Sequence, residues 1–206
     1  MLHYLILGIT FAFAAAVQPG PLQTYLISQS LSKGHRHTLP AAFSPLISDG
    51  PIIVLVLLVL SALPRLLVNV LQLAGGFFLL YLAISAWKIW RDYDAKKAVQ
   101  VQSSQQTLLK AAMVNLLNPN PYLGWSLVMG PLLLKGWRET PVNGITLLVG
   151  FYATLVVCLV GTIMLFSTAR NLGPRVSRVL IGISAIALAC FGLYALWIAI
   201  ASFGWL

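Results

Sequence analysis

The sequence predicts an all-α membrane protein of six transmembrane helices, arranged as two inverted three-helix repeats with the first and fourth helices broken. Three observations carry this. Of 206 residues, 59% are hydrophobic and only 8% charged, and the mean hydropathy is +0.90, outside the range of a soluble domain. Six apolar runs each supply the roughly 20 helical residues needed to cross a hydrocarbon core of about 30 Å. Two of those runs, the first and the fourth, carry prolines two positions apart near their middles, Pro19/Pro21 and Pro119/Pro121.

The runs fall at about 3–31, 39–63, 66–90, 107–134, 141–168 and 176–203. Little chain is left over, so residues 1–206 read as a single transmembrane domain. A soluble catalytic domain is excluded by length, no catalytic residues are predicted, and any chemistry must come from the helices or their rims. The first run has no Lys or Arg before Lys33 and stays apolar beyond "AAAVQ" at 14–18, so it reads as a retained helix, not a cleaved signal.

That run contains "VQPGPLQTYL". Proline lacks a backbone N–H and its ring clashes with the carbonyl one turn back, so Pro19 and Pro21 break the helix, and Gly20 adds freedom between them. The second run, "FSPLISDGPIIVLVLLVL", holds Asp49, the only acidic residue deep in any run. A carboxylate at the centre of a membrane helix costs about 2.5 to 3.5 kcal/mol on insertion scales and is rarely kept without a role. Asp49 is placed to bind an amine, to carry a proton, or to alternate between them. It also suits the N-cap of a helix restarting at Pro51.

The third run carries Gly75 and Gly76, matched in the sixth by Gly182 and Gly192, as close helix packing allows. A polar stretch at 92–106 follows, within "RDYDAKKAVQVQSSQQT", and separates a first half (1–91) from a second (107–206). Three helices is an odd number, so a repeated half must lie upside down relative to the first, the plan of many secondary transporters. The fourth run, "LNPNPYLGWSL", mirrors the first, each proline pair following an amide, Gln18 or Asn118.

Broken helices in lipid leave backbone groups unpaired and are tolerated only where protein or a wet cavity covers them. Two breaks therefore imply a shared cavity. Helices restarting near Pro21 and Pro121 aim N–H groups and positive dipole ends at it, which suits a carboxylate. Gln18, Gln23, Thr24, Asn115, Asn118 and Asn120 cluster there. Tyr25 and Tyr122 follow the breaks and suit either the cavity or packing.

Cys158 and Cys190 stand singly in the fifth and sixth runs, without a CxxC pair, and read as core residues. His3, His35 and His37 have no matching ligands, so neither a metal nor a cofactor is predicted. Trp87, Trp90, Trp137 and Trp205 lie near run ends as interface anchors. The net charge of +9 resolves by loop: Lys33, Arg36, Lys88, Arg91, Lys96, Lys97, Lys110, Arg170, Arg175 and Arg178 flank alternate connections, against Arg65, Lys135 and Arg138 on the others. The positive-inside rule puts the basic loops in the cytoplasm and both termini outside. Lipid headgroups, not nucleic acid, are the partners these charges suit.

"QPGP", "ISDGPIIV" and "LLNPNPYL", in that order, resemble the lysine exporter family of bacterial amino-acid efflux proteins, and the resemblance covers essentially the whole chain. It implies an inner-membrane secondary transporter driven by the proton-motive force, with Pro19, Gly20, Pro21, Asp49, Asn118 and Pro119 at family motif positions. Two departures matter. The Asn that follows PGP in the cationic-substrate branch is replaced by Gln23 or Thr24, and the "NPxxYLD" of that branch ends here in Gly124. The lost carboxylate disfavours dibasic substrates.

The expected function is export of a neutral amino acid or similar zwitterion in exchange for protons. The substrate-binding set is Gln18, Pro19, Gly20, Pro21, Thr24, Asp49, Asn118, Pro119, Asn120 and Tyr122, with Asp49 coupling the proton. An inorganic-cation exporter or channel of related fold is the alternative, and a homodimer is compatible with six short helices.

Overall fold

A computed structural model describes residues 1–58, 65–92, 103–169 and 173–202. The expectations placed on Lys96, Lys97, Arg170, Trp205, the side chain of Arg65 and most of the polar linker lie outside those residues. Among the described residues the regular structure is helical throughout.

The first run is two helices, α1 (Leu2–Val17) and α2 (Pro21–Lys33), bent by 64°. The cause is local. A residue before proline is pushed out of the helical region, and both residues in that position are extended: Gln18 at φ −62°, ψ 121° and Gly20 at φ −159°, ψ 178°. Pro21 then sits at the first helical position, where its missing N–H and fixed φ favour a start.

A short α3 (His35–Thr38) and a 3₁₀ turn (Leu39–Phe43) lead into α4 (Ser44–Leu58), and the whole from His35 to Leu58 is long and apolar enough to span. Pro51 lies inside α4, so the helix passes through Asp49 and does not restart after it. The N-cap reading of Asp49 is thereby corrected: Asp49 is a mid-helix side chain on the face that also buries Pro45, Ser48, Ile52 and Val56.

After α5 (Arg65–Arg91) comes α6 (Ser104–Leu116), capped by the Ser103 hydroxyl, which accepts from the Gln106 amide at 3.3 Å. The chain breaks at Leu117–Asn118 and resumes as α7 (Pro119–Gly124), a π-helical turn (Trp125–Met129) and α8 (Gly130–Glu139). α9 (Pro141–Ala169) and α10 (Pro174–Ser202) complete the order.

Four described helices are long and apolar enough to cross a bilayer, and the bent α1–α2 pair makes a fifth. The stretch read as the fourth span, 107–134, is not in that set. Its break divides it, Lys110 charges the first piece, and Asn118 and Asn120 open the second.

Packing runs mainly between the two halves of the chain. α1 lies along α9, α4 against α6, and α5 along α10. Small residues permit the first and last of these. A side-chain carbon at Gly8 would strike the Leu147 carbonyl, and one at Gly150 would stand 2.9 Å from the Leu5 carbonyl. Gly76 and Gly192 face each other, each 3.0 Å from the other's carbonyl by the same measure. Gly8→Ala should therefore cost about 1–3 kcal/mol by forcing α1 off α9. Gly161, with nothing within 4 Å, should accept alanine without loss, and thermal unfolding of the two purified variants in detergent distinguishes them.

Candidate functional site

Each helix break frees carbonyls, and each is closed by a side chain from the restarting segment. Pro19 has no N–H for the Ala15 carbonyl, and extended Gly20 cannot reach that of Ala16. The Gln23 amide nitrogen donates to both, at 3.2 and 3.4 Å. At the second break the Leu116 carbonyl accepts from the Tyr122 hydroxyl at 2.9 Å, and the Asn115 carbonyl accepts from the Asn118 amide at 3.2 Å. The Leu117 carbonyl is covered by α5, whose Gly75 leaves room for the approach.

The N-termini of the restarts differ. Gly20 caps α2 without a side chain, so the Leu22 and Gln23 amides, at the second and third helical positions, keep no intrahelical partner. At the second restart Pro119 and Pro121 have no N–H, and the Asn120 amide donates to the Asn118 side chain at 3.1 Å. The expectation that both restarts offer donors to a carboxylate is therefore corrected. The first does, while the second has used its only early donor on its own cap.

Between the breaks lies a cavity of about 440 Å³. Gln18, Pro19, Gly20, Asp49, Asn118 and Asn120 line it, as does Pro121. Four residues of the sequence-derived set are not among its lining. Pro21 and Pro119 serve as helix starts, Thr24 lies beyond the first turn of α2, and Tyr122 is 5% exposed with its hydroxyl committed to the Leu116 carbonyl.

Asp49 is the cavity's charged group. It is 3% exposed and held by side chains of two other helices, α6 and α9. The Asn115 amide nitrogen donates to its Oδ1 at 2.8 Å and to the neighbouring Ser48 hydroxyl at 2.7 Å, and the Tyr152 hydroxyl of α9 donates to Oδ2 at 3.2 Å. Ser48 in turn donates to the Ser44 carbonyl at 3.0 Å. These hydrogen bonds offset part of the cost of taking a carboxylate out of water. Among the described residues no Lys, Arg or His lines the cavity, and the rest of its wall is largely apolar, with Phe11, Trp125 and Phe151 prominent.

Two of these residues carried a sequence signal only as polar neighbours of the breaks, Gln23 and Asn115. Tyr152 carried less: a tyrosine in mid-span instead of at the interface is its single trace. Trp125 carried none, because its role depends on a ring stack with Tyr152 at 6.5 Å and an edge contact with Phe151 at 5.8 Å.

The family model for LysE type translocators matches residues 13–198, a stretch that includes both breaks and the whole cavity lining except Phe11. The chain belongs to the LysE type translocator family. As a member it is an integral membrane transporter, and its apolar helices agree with that. No curated protein and no solved structure matches the chain.

In this translocator Tyr122 closes a break without reaching the cavity, which gives a test. Tyr122→Phe leaves a buried carbonyl unpaired and should cost about 1–3 kcal/mol in detergent stability. Affinity for whatever substrate the wild type binds should stay within about two-fold, since less than 0.5 kcal/mol of contact is touched. Calorimetric titration beside thermal unfolding checks both halves.

Proposed function

We propose that the protein is a secondary exporter of neutral amino acids or similar small zwitterions in the bacterial inner membrane, working by proton antiport. The observation that carries this is Asp49: one carboxylate, deeply buried, opening onto a cavity with no basic side chain among the described residues. An ionisable group at such a depth marks substrate or ion passage by default. The substrate's ammonium and a proton compete for it, so each leaves as the other arrives, and export becomes coupled to proton entry. The carboxylate of the substrate belongs at the first restart, where the Leu22 and Gln23 amides are free and the helix dipole is positive.

Neutral substrates are favoured by Gly124. It lines the cavity, so the position where the cationic branch bears an aspartate contributes no charge here. Phe11, Trp125, Phe151 and the leucines around them suit an uncharged side chain.

The architecture we infer is the six-span inverted repeat, with the pair α6 and α7–α8 as the fourth span. Counting spans in chain order, the first packs on the fifth, the second on the fourth and the third on the sixth. Exchanging the halves turns this set of pairings into itself, as a two-fold axis between inverted units requires. The loop charges orient it with both termini outside and the basic loops inside. Lipid headgroups and, in a homodimer, a second copy are the partners this reading allows.

In proteoliposomes loaded with radiolabelled neutral amino acids, an imposed pH gradient should move substrate toward the acidic side. Asp49→Asn should reduce this accumulation by more than about ten-fold, as loss of a buried charge partner implies. Full gradient-driven movement in the Asn variant would remove Asp49 from the coupling.

A further inference from the structure

Two amide side chains of the cavity that Asp49 lines have had their orientation decided for them. The Asn115 nitrogen faces the Asp49 carboxylate at 2.8 Å, which an amide oxygen would not do, so its Oδ1 is the end left over. Asn115 is only 7% exposed, and among the described residues no group donates to that oxygen. The Gln23 nitrogen faces two backbone carbonyls, which accept and cannot donate, so its Oε1 is likewise left over. That oxygen lies 3.2 Å from where a side chain at Gly20 would begin. Neither oxygen is among the enclosed atoms without a partner, so both reach open space, and both residues line the cavity that Asp49 lines.

The inner cavity thus presents a carboxylate and two fixed carbonyl oxygens. All are acceptors. We propose that Gln23 and Asn115 are specificity-determining residues whose oriented amide oxygens, together with Asp49, make the cavity select a primary ammonium. This rests on the transporter reading above and sharpens its substrate class. A primary ammonium brings positive charge and three N–H donors. N-acylation removes the charge and leaves one donor, whereas trimethylation keeps the charge and removes every donor. Selection by charge alone and selection by directed hydrogen bonds therefore predict different behaviour from the two blocked forms. Asn115 has a second consequence: its nitrogen holds Asp49 while its oxygen meets the substrate, so the same residue positions the charge and reads the donor.

The test uses purified native protein and four probes for each of L-leucine, L-phenylalanine and L-threonine: the amino acid, its decarboxylated amine, its N-acetyl form and its N,N,N-trimethyl form. Binding is followed by calorimetric titration and thermal shift. The amino acid and the amine should bind, and both blocked forms should bind at least about ten-fold more weakly, as loss of a charge-assisted hydrogen bond implies. A trimethyl form that binds as well as the parent would show that charge suffices and would overturn the proposal, leaving the transporter reading intact. Equal binding of the N-acetyl form would overturn the proposal and, with it, the competition of ammonium and proton for Asp49. Binding of amines without amino acids would uphold ammonium selection and sink the amino-acid reading, and no binding of either would sink both. Gln23→Met and Asn115→Leu, where they still unfold cooperatively, should narrow the preference to about three-fold or less. An undiminished preference would assign it to Asp49 alone and refute the role of the amides.

Discussion

Everything in this molecule follows from the rule that a backbone N–H or C=O in hydrocarbon must find a partner within the protein. Proline denies that partner at Pro19 and Pro119, and in lipid each denial would cost several kcal/mol. The protein answers with a side chain placed three or four residues past the proline, Tyr122 in one case and Gln23 in the other. Gln23 reaches back to the Ala15 carbonyl that Pro19 cannot serve, and Tyr122 to the Leu116 carbonyl freed by the second break. The breaks can then persist, and with them the cavity that separates two half-helices from each other.

The two answers differ in chemistry, and the site inherits the difference. Tyr122 spends its hydroxyl on a carbonyl and stays out of the cavity. Gln23 spends only its nitrogen, and its oxygen has no hydrogen-bond partner among the described residues. The caps differ likewise: Asn118 satisfies the amide of Asn120, while Gly20 satisfies nothing. Two similar motifs thus yield one break that is mostly architecture and one whose donors and acceptors stay open.

Asp49 depends on the assembly of both halves. It sits on α4, is held by Asn115 of α6 and Tyr152 of α9, and shares its cavity with Gln23 of α2. No single half contains the full set, so the charge is stabilised only where the halves meet. Any motion of one half against the other would change what Asp49 touches, which is the condition alternating access needs.

Much of this was legible in the sequence because it is local. Apolar runs located α5, α9 and α10 to within a few residues, since a hydrocarbon core demands a continuous apolar length. Pro19–Gly20–Pro21 and Asn118–Pro119 located the breaks, because proline acts on its own neighbours. Asp49 announced itself by being a charge where charge is expensive. What the sequence left open concerned partners. That Tyr122 ties a helix end, that the second restart caps itself, that Asn115 and Tyr152 grip the carboxylate, and that Asp49 lies in mid-helix all depend on which group a side chain meets. Those meetings join residues up to about a hundred positions apart, as Asp49 and Tyr152 are. Composition and spacing determined that there would be a membrane protein with two broken helices and one buried acid. Only tertiary packing decided which atoms satisfy which, because hydrogen bonds are directional and short, and nothing in a one-dimensional pattern fixes a direction.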